Sequence, residues 1–177
     1  MIAVRHQYMG KIIKKFINKN IYEYFKNKKI LDIGCGTGEF LKNYHDLGNQ
    51  CIGIDIQQNF KFKNLKGYIL KNTDLKNFIK KNKQKFDVIF LFEFLEHLNI
   101  EDRKFLFKNL LNLLNKNSLV FISTINKNII SKFFSIEIAE KYLKLLPQKT
   151  HDYKYFLKPS EIQKLAKSNK LDLLDIS

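Results

Sequence analysis

The feature that most constrains the fold is a regular alternation of short apolar runs with stretches of helical periodicity. The runs are rich in β-branched and aromatic residues, as strands buried on both faces are. They are KILDIG, NQCIGIDI, KGYILKN, FDVIFLF and SLVFISTI. Because strands that alternate with helices form parallel sheets with right-handed crossovers, we predict an α/β fold: an open, mostly parallel sheet with helices on both faces.

Helical spacing of apolar residues marks the segments around these strands. It predicts an amphipathic helix over residues 8–25, a second helix from Glu101 to the polar NKNS stretch, and a third over residues 160–168. A sixth strand is predicted in LDLLDIS at the end of the sequence, and a long insertion over 126–158 follows strand five. We treat residues 1–177 as a single domain, which is the simplest expectation for this length.

Composition limits the classes of protein that remain. No apolar run reaches the roughly 18 residues of a membrane helix, and Cys35 and Cys51 fit neither a disulfide framework nor a zinc spacing. We therefore expect a cytoplasmic protein with free, buried thiols. The net charge of +15 favours nucleic acid or an anionic membrane surface as a partner. Compositional drift toward Lys, Asn, Ile and Phe is the alternative explanation of that charge.

Three glycines at alternate positions follow the first strand in ILDIGCGTGEF. The spacing of Gly34, Gly36 and Gly38 differs from the dinucleotide pattern G-x-G-x-x-G, which disfavours a nicotinamide cofactor. Asp55 ends the second strand, where a carboxylate accepts hydrogen bonds from ribose hydroxyls. A nucleoside without phosphates fits this combination, and S-adenosylmethionine is such a molecule, with Asp32 near its amino acid portion. A tight turn between strand and helix is the alternative.

The motifs LDIGCGTG and GIDI resemble those of class I S-adenosylmethionine-dependent methyltransferases. Within that class FEFLEHL, ISTINKN and THDYKYFLKPSE resemble the bacterial ubiquinone-biosynthesis O-methyltransferases, which act on polyprenyl catechol-like intermediates. The resemblance implies a Rossmann-like sheet and a polyprenyl phenol or quinol substrate. It also implies further cofactor contacts, which are Arg5, Phe92 and, for adenine, Thr73 with Asp74.

The resemblance also implies that family members extend beyond this sequence at both ends. They have a longer N-terminal segment and one more strand, so we expect a sheet that lacks its last strand. An inactive cofactor-binding domain and a methyltransferase of another small molecule therefore remain open. An enzyme that modifies RNA bases is disfavoured, because FEFLEH stands where such enzymes usually have an (Asp/Asn)-Pro-Pro-(Tyr/Phe) tetrapeptide.

Three polar side chains follow strand four at i, i+3 and i+4, a spacing that places them on one face of a helix. They are Glu93, Glu96 and His97. Two carboxylates and an imidazole suit a hard divalent cation such as Mg²⁺, and the resemblance to catechol-type enzymes favours this interpretation. His97 is also a catalytic candidate. The alternative is that both glutamates cap a helix N-terminus and that His97 is a surface residue.

A second histidine lies in the insertion. His151, followed by Asp152, is a candidate base with an orienting carboxylate; a loop histidine beside a turn-capping aspartate is an equal alternative. The Phe- and Lys-rich insertion over 126–158 is expected to cover a polyprenyl substrate or to rest on an anionic membrane surface. Its apolar residues also suit an ordinary protein core.

Overall fold

A computed structural model describes residues 2–62, 65–124 and 157–176 of the chain. In chain order the elements are α1 (Ile2–Ile17), α2 (Ile21–Tyr24), β1 (Lys29–Ile33), α3 (Glu39–His45), β2 (Gln50–Asp55), β3 (Tyr68–Asn72), α4 (Leu75–Lys81), β4 (Phe86–Phe92), a 3₁₀ turn (Leu95–His97), α5 (Ile100–Leu113), β5 (Leu114–Ser123) and α6 (Pro159–Ser168). Each of the first five predicted strands is present.

The strands form one sheet in the order β3-β2-β1-β4-β5. β1 pairs in parallel with β2 on one side and with β4 on the other, and β2 pairs in parallel with β3. The predicted α/β fold with a parallel sheet is therefore confirmed. The strand order reverses beside β1, and open sheets of this kind bind ligands at that point, beyond the carboxyl ends of the strands.

The chain divides into two compact units. Residues 1–91 and 112–121 belong to the first unit, and residues 92–111 and 122–176 to the second. The first unit contains β1, β2 and β3, and the second contains the 3₁₀ turn and α6. The expectation of a single domain over 1–177 stays a prediction.

An aromatic cluster forms the core of the first unit. Tyr44 of α3 lies 4.5 Å from Phe25 and 5.2 Å from Phe90 between ring centroids, and Phe40 contacts Phe90 edge-on at 5.2 Å. All four rings are buried. Burial of each ring contributes about 1.5–3 kcal/mol. The cluster thereby fixes α3, whose first turn begins at the glycine segment, against β4.

Two sequence predictions about the ends of the chain are wrong. The predicted helix over 8–25 is two helices, because Asn18 has a φ of 59° and its neighbours leave the helical path before α2 begins. Residues 171–176 of LDLLDIS do not form a strand. Leu173 and Leu174 are exposed, and the Leu171 N–H donates to the Ala166 carbonyl just after the end of α6. A strand needs a neighbouring edge, and within the described ranges no strand pairs with this segment. The predicted helix over 160–168 is confirmed as α6.

Candidate functional site

The glycine segment after β1 is a chain of left-handed residues. Gly34, Gly36 and Gly38 have φ values of 78°, 53° and 82°. Side chains disfavour that region, which explains why glycine occupies all three positions. The turn is also tied to β2, because the N–H groups of Gly34 and Cys35 both donate to the Ile54 carbonyl, at 2.9 and 3.1 Å.

Asp55 joins the end of β2 to the glycine segment. Its Oδ2 accepts the Gly36 N–H at 2.8 Å, and its Oδ1 accepts the Gln57 N–H at 2.8 Å. Since a carboxylate oxygen accepts more than one hydrogen bond, both oxygens retain capacity for ribose hydroxyls. Nothing lies within 4 Å of where a Cβ of Gly36 would be, so the backbone there is open to a ligand. These residues fit S-adenosylmethionine.

Close packing supports the turn from the side of the sheet. The Tyr68 hydroxyl donates to the Gly38 carbonyl at 2.6 Å, and a Cβ on Gly38 would collide with that hydroxyl and with Leu70. A Cβ on Gly53 would lie 2.7 Å from the Cys35 Sγ. The sequence analysis missed Tyr68 and Gly53. The small residue between two isoleucines of β2 was the available signal for Gly53.

Asp32 is a buried acid in the middle of this arrangement. Only 3% of it is exposed, and burial raises its pKa from 3.8 to about 7, with Arg5 opposing the rise and Asp55 adding to it. The structure thus brings Arg5, Asp32 and Asp55 into one electrostatic neighbourhood in the first unit. The Arg5 guanidinium also lies 6.0 Å from the centroid of the Phe40 ring.

Asp74 has a structural role that the sequence analysis did not assign. It is the N-cap of α4, and its Oδ1 accepts the Asn77 N–H at 2.9 Å. This hydrogen bond holds the pKa of the exposed carboxyl below its usual value. The preceding Thr73 N–H donates to the Asp55 carbonyl at 2.9 Å, so both residues follow directly from the Asp55 corner. Their contact with adenine stays a prediction.

In the second unit, the segment after β4 differs from the predicted helical turn. Glu93 has a φ of 51°, and only Leu95–His97 forms a 3₁₀ turn. Glu96 is buried whereas His97 is exposed, so the three predicted ligands do not share one face. Across 2–62, 65–124 and 157–176, no group of three His, Cys, Asp or Glu side chains is placed to hold a metal ion. The prediction that Glu93, Glu96 and His97 share one helical face is therefore wrong, and their role as Mg²⁺ ligands stays a prediction.

The helix-capping alternative for Glu93 and Glu96 is also wrong. α5 begins at Ile100, and the residue that caps it is Asn99, whose Oδ1 accepts the Asp102 N–H at 2.8 Å. Glu96 instead accepts a hydrogen bond from the Thr124 hydroxyl at 3.0 Å. Phe92, a predicted cofactor contact, is the last residue of β4 and is half-buried.

The predictions for His151 and for the insertion concern residues that the structure does not describe. His151, its neighbour Asp152 and most of the predicted insertion, residues 126–156, lie outside the described residues.

The first unit contains a cavity of about 720 Å³ among α1, α2 and α3, lined by residues that include His6, Tyr22 and Tyr44. In the described part of the chain, no helix has the length and apolar character needed to cross a membrane.

This sheet order, the glycine turn after β1 and the acid that ends β2 define a class I S-adenosylmethionine-dependent methyltransferase. A family model described as a methyltransferase domain matches residues 4–174. The ubiquinone biosynthesis O-methyltransferase of Pelagibacter ubique is 40% identical over 173 residues, covering 92% of this chain and 69% of that protein. The chain belongs to this methyltransferase family.

Solved structures give the same fold. A methyltransferase from Archaeoglobus fulgidus matches with a TM-score of 0.62 at 20% identity, over 93% of this chain and 68% of that one. The plantazolicin methyltransferase BpumL, in complex with a monoazolic desmethylPZN analog and SAH, matches with a TM-score of 0.69 at 25% identity, over 94% and 62% of the two chains. Both likenesses agree with the α/β fold and its parallel sheet.

Proposed function

We propose that this chain transfers a methyl group from S-adenosylmethionine to a hydroxyl of a polyprenyl phenol or catechol-like intermediate of ubiquinone biosynthesis. The observation that carries the proposal is the 40% identity to a relative named for that reaction, over 92% of the chain. The hydrogen bond between Gly36 and Asp55 supplies the supporting geometry.

The bound cosubstrate supplies an electrophilic methyl group on a sulfonium. The chain's contribution is binding and orientation: Asp55 is aimed at the ribose hydroxyls, the open Gly36 backbone admits the ligand, and Arg5 is a cation for its carboxylate. Orientation of two reactants contributes up to about 7–11 kcal/mol to lowering the barrier. No covalent enzyme intermediate is needed, because the acceptor oxygen bonds to the methyl carbon as the carbon–sulfur bond breaks, and the hydroxyl proton passes to water.

The proposal assigns no step to Mg²⁺, because Glu93, Glu96 and His97 are not gathered into a metal site. A chelator measures the need for a cation directly. Activity that falls with EDTA and returns with added Mg²⁺ establishes a metal requirement, and activity unchanged by EDTA establishes that none exists.

The decisive experiment is a turnover assay with the 177-residue chain, S-adenosylmethionine and a catechol that carries a short prenyl chain. We expect S-adenosylhomocysteine and a mono-methyl ether in equal amounts. Asp55→Ala is the matched negative control, because it removes the ribose acceptor. Tight binding of S-adenosylmethionine without turnover of any catechol would favour another acceptor or an inactive domain.

Membrane contact is a separate part of the proposal. A polyprenyl substrate resides in a bilayer, and the net charge of +15 favours an anionic surface. Co-sedimentation with vesicles tests it: we expect binding to vesicles that contain anionic lipid and little binding to zwitterionic ones. Equal recovery with both vesicle types would contradict this part alone.

A further inference from the structure

Segment 56–62, which follows β2, is attached at both ends to residues of the predicted cosubstrate site. It begins directly after Asp55, and near its other end the chain bonds back to the glycine segment and to the first turn of α3. All of these residues belong to the first unit. The position of segment 56–62 is therefore coupled to that of the glycine segment.

The end of the segment next to β2 is held by the carboxyl ends of β2 and β3. The Gln57 N–H donates to Asp55 Oδ1 at 2.8 Å, and the Asn72 side-chain amide donates to the Ile56 carbonyl at 2.8 Å. The Gln58 amide in turn donates to Asn72 Oδ1 at 3.1 Å. These hydrogen bonds fix the first residues of the segment relative to two neighbouring strands.

The other end of the segment is attached through Lys61. Its N–H donates to the Thr37 carbonyl at 3.1 Å, and its Nζ donates to Glu39 Oε2 at 2.8 Å. Thr37 lies between Gly36 and Gly38, which both have positive φ, and glycines leave the backbone many accessible conformations. The bond from Lys61 therefore fixes the direction of a carbonyl in the most permissive part of the turn.

The ion pair between Lys61 and Glu39 is exposed to water. The accessible fraction is 57% for the side chain of Lys61 and 54% for that of Glu39. Exposed pairs contribute little to the stability of a fold, because solvent screens the charges and two long side chains must be ordered. We therefore expect this pair to act on the local position of segment 56–62 rather than on overall stability.

The two attached ends lie at adjacent residues of the glycine segment. Asp55 Oδ2 accepts the Gly36 N–H at 2.8 Å, and Lys61 bonds the carbonyl of the next residue, Thr37. The Gly36 backbone is open to a ligand, since nothing lies within 4 Å of where its Cβ would be. A nucleoside held by Asp55 at Gly36 is therefore one residue away from the junction that Lys61 makes.

We propose that Lys61 is a positioning residue for S-adenosylmethionine, which holds segment 56–62 and the glycine segment together through Thr37 and Glu39. Breaking the ion pair loosens the Lys61 end while the Asn72 end stays fixed. Because the pair must break before the segment moves away from a bound nucleoside, it slows dissociation more than association. The inference rests on the binding of S-adenosylmethionine in the proposed function and is independent of the acceptor that is methylated.

Binding of S-adenosylhomocysteine to single and double variants of the 177-residue chain tests the proposal. Lys61→Met keeps an unbranched side chain and removes its charge, and Glu39→Gln removes the partner charge. Lys19→Met is the matched control: Lys19 forms an ion pair of similar exposure with Glu23, 50% and 53%, beside α2. Calorimetry gives the affinity, stopped-flow displacement gives the dissociation rate, and the melting temperature is measured without ligand.

We expect Lys61→Met and Glu39→Gln each to weaken S-adenosylhomocysteine binding about threefold to fivefold, mostly through faster dissociation. The double variant should lose no more than either single variant, because both changes remove the same pair. Lys19→Met should bind like the parent, and no variant should change the melting temperature of the free chain. Raising the salt concentration from about 0.05 M to about 1 M should narrow the difference between the parent and Lys61→Met.

Three results would overturn the inference. Equal affinity in the parent and in Lys61→Met would show that the pair is a surface contact without a role in binding. Losses that add up in the double variant would show that each charge acts separately. A lower melting temperature of Lys61→Met without ligand would make Lys61 a structural residue. If the parent chain binds no S-adenosylhomocysteine, the cosubstrate assignment itself fails and the inference falls with it.

Discussion

The Gly36 N–H donates to the Asp55 carboxylate at 2.8 Å across 19 residues of sequence. This bond joins the turn after β1 to the end of β2, the two places where parallel α/β sheets contact a nucleoside. Asp55 therefore shapes the glycine segment, and it is also the predicted acceptor for the ribose hydroxyls. Changing Asp55 tests both roles.

We predict that Asp55→Ala weakens the binding of S-adenosylmethionine by at least about tenfold, because each hydrogen bond to a charged group is worth roughly 1.5–3 kcal/mol. Asp55→Asn is the matched variant, since its amide oxygen keeps one acceptor for the Gly36 N–H while the charge is lost. We expect its affinity to lie between those of the parent and Asp55→Ala. Titration calorimetry measures all three, and equal affinities would refute the cosubstrate assignment.

The raised pKa of the buried Asp32 leads to a prediction of how the stability of the fold depends on pH. Its pKa of about 7 in the folded chain lies above the ordinary value of 3.8, so between these two pH values the folded state holds a proton that the unfolded state has lost. The contribution of Asp32 to stability is therefore present at about pH 4 and is lost as pH rises toward 7.

The measurement is urea unfolding of the parent and of Asp32→Asn at a series of pH values. We expect the stability of the parent, relative to Asp32→Asn, to fall by an amount on the order of a few kcal/mol between pH 4 and pH 7 and to be level above that range. Comparing the two proteins cancels the other titrating groups. A difference that does not vary with pH would show that Asp32 is ionised in the folded chain throughout.

The glycine segment offers a matched pair of substitutions. Gly36 and Gly38 both have positive φ, but a Cβ meets nothing at Gly36 and collides with Tyr68 and Leu70 at Gly38. Gly36→Ala should lose about 1–2 kcal/mol of unfolding free energy from backbone strain alone. Gly38→Ala should lose about 1–3 kcal/mol more because of overpacking. Equal losses in urea unfolding would mean that Tyr68 and Leu70 move aside freely.

The sequence was sufficient to predict the five strands of the sheet. Short apolar runs rich in β-branched and aromatic residues identify β1 to β5. The glycine turn is also predictable, because it depends on local backbone geometry. The sequence was insufficient to predict the segment after β4. The i, i+3 and i+4 spacing there suggested a helical turn from Glu93 to His97, but Glu93 is not part of a helix. Glu93 has a positive φ and its N–H donates to the Ser123 carbonyl, a contact that sequence spacing does not reveal.

The prediction of a sixth strand in LDLLDIS is wrong for a related reason. Alternating apolar residues specify a strand only when a neighbouring edge accepts its hydrogen bonds, and the pattern alone carries no information on that edge. Similarly, α1 ends just before Asn18, which has a left-handed backbone conformation although the surrounding apolar pattern is helical. In each case tertiary contacts or a single backbone angle overrode the local periodicity.

Our last prediction concerns the two thiols, which are free and buried as the sequence indicated. Burial raises the pKa of Cys51 to about 12 and that of Cys35 further, with the charge of Asp32 adding to both, so little reactive thiolate forms at pH 8. We expect slow reaction of the native chain with a disulfide reagent, accelerating steeply in urea.

The two cysteines should respond differently to ligand. Cys35 lies within the glycine turn, between Gly34 and Gly36, whereas Cys51 lies within β2 and is fully buried. Local opening of the turn exposes Cys35 without unfolding the sheet, and a ligand bound to the turn opposes that opening. Saturating S-adenosylhomocysteine should therefore slow modification of Cys35 in a Cys51→Ala variant by more than it slows Cys51 in a Cys35→Ala variant. Equal protection of both thiols would instead mean that each reacts only through global unfolding, and that the turn does not open by itself.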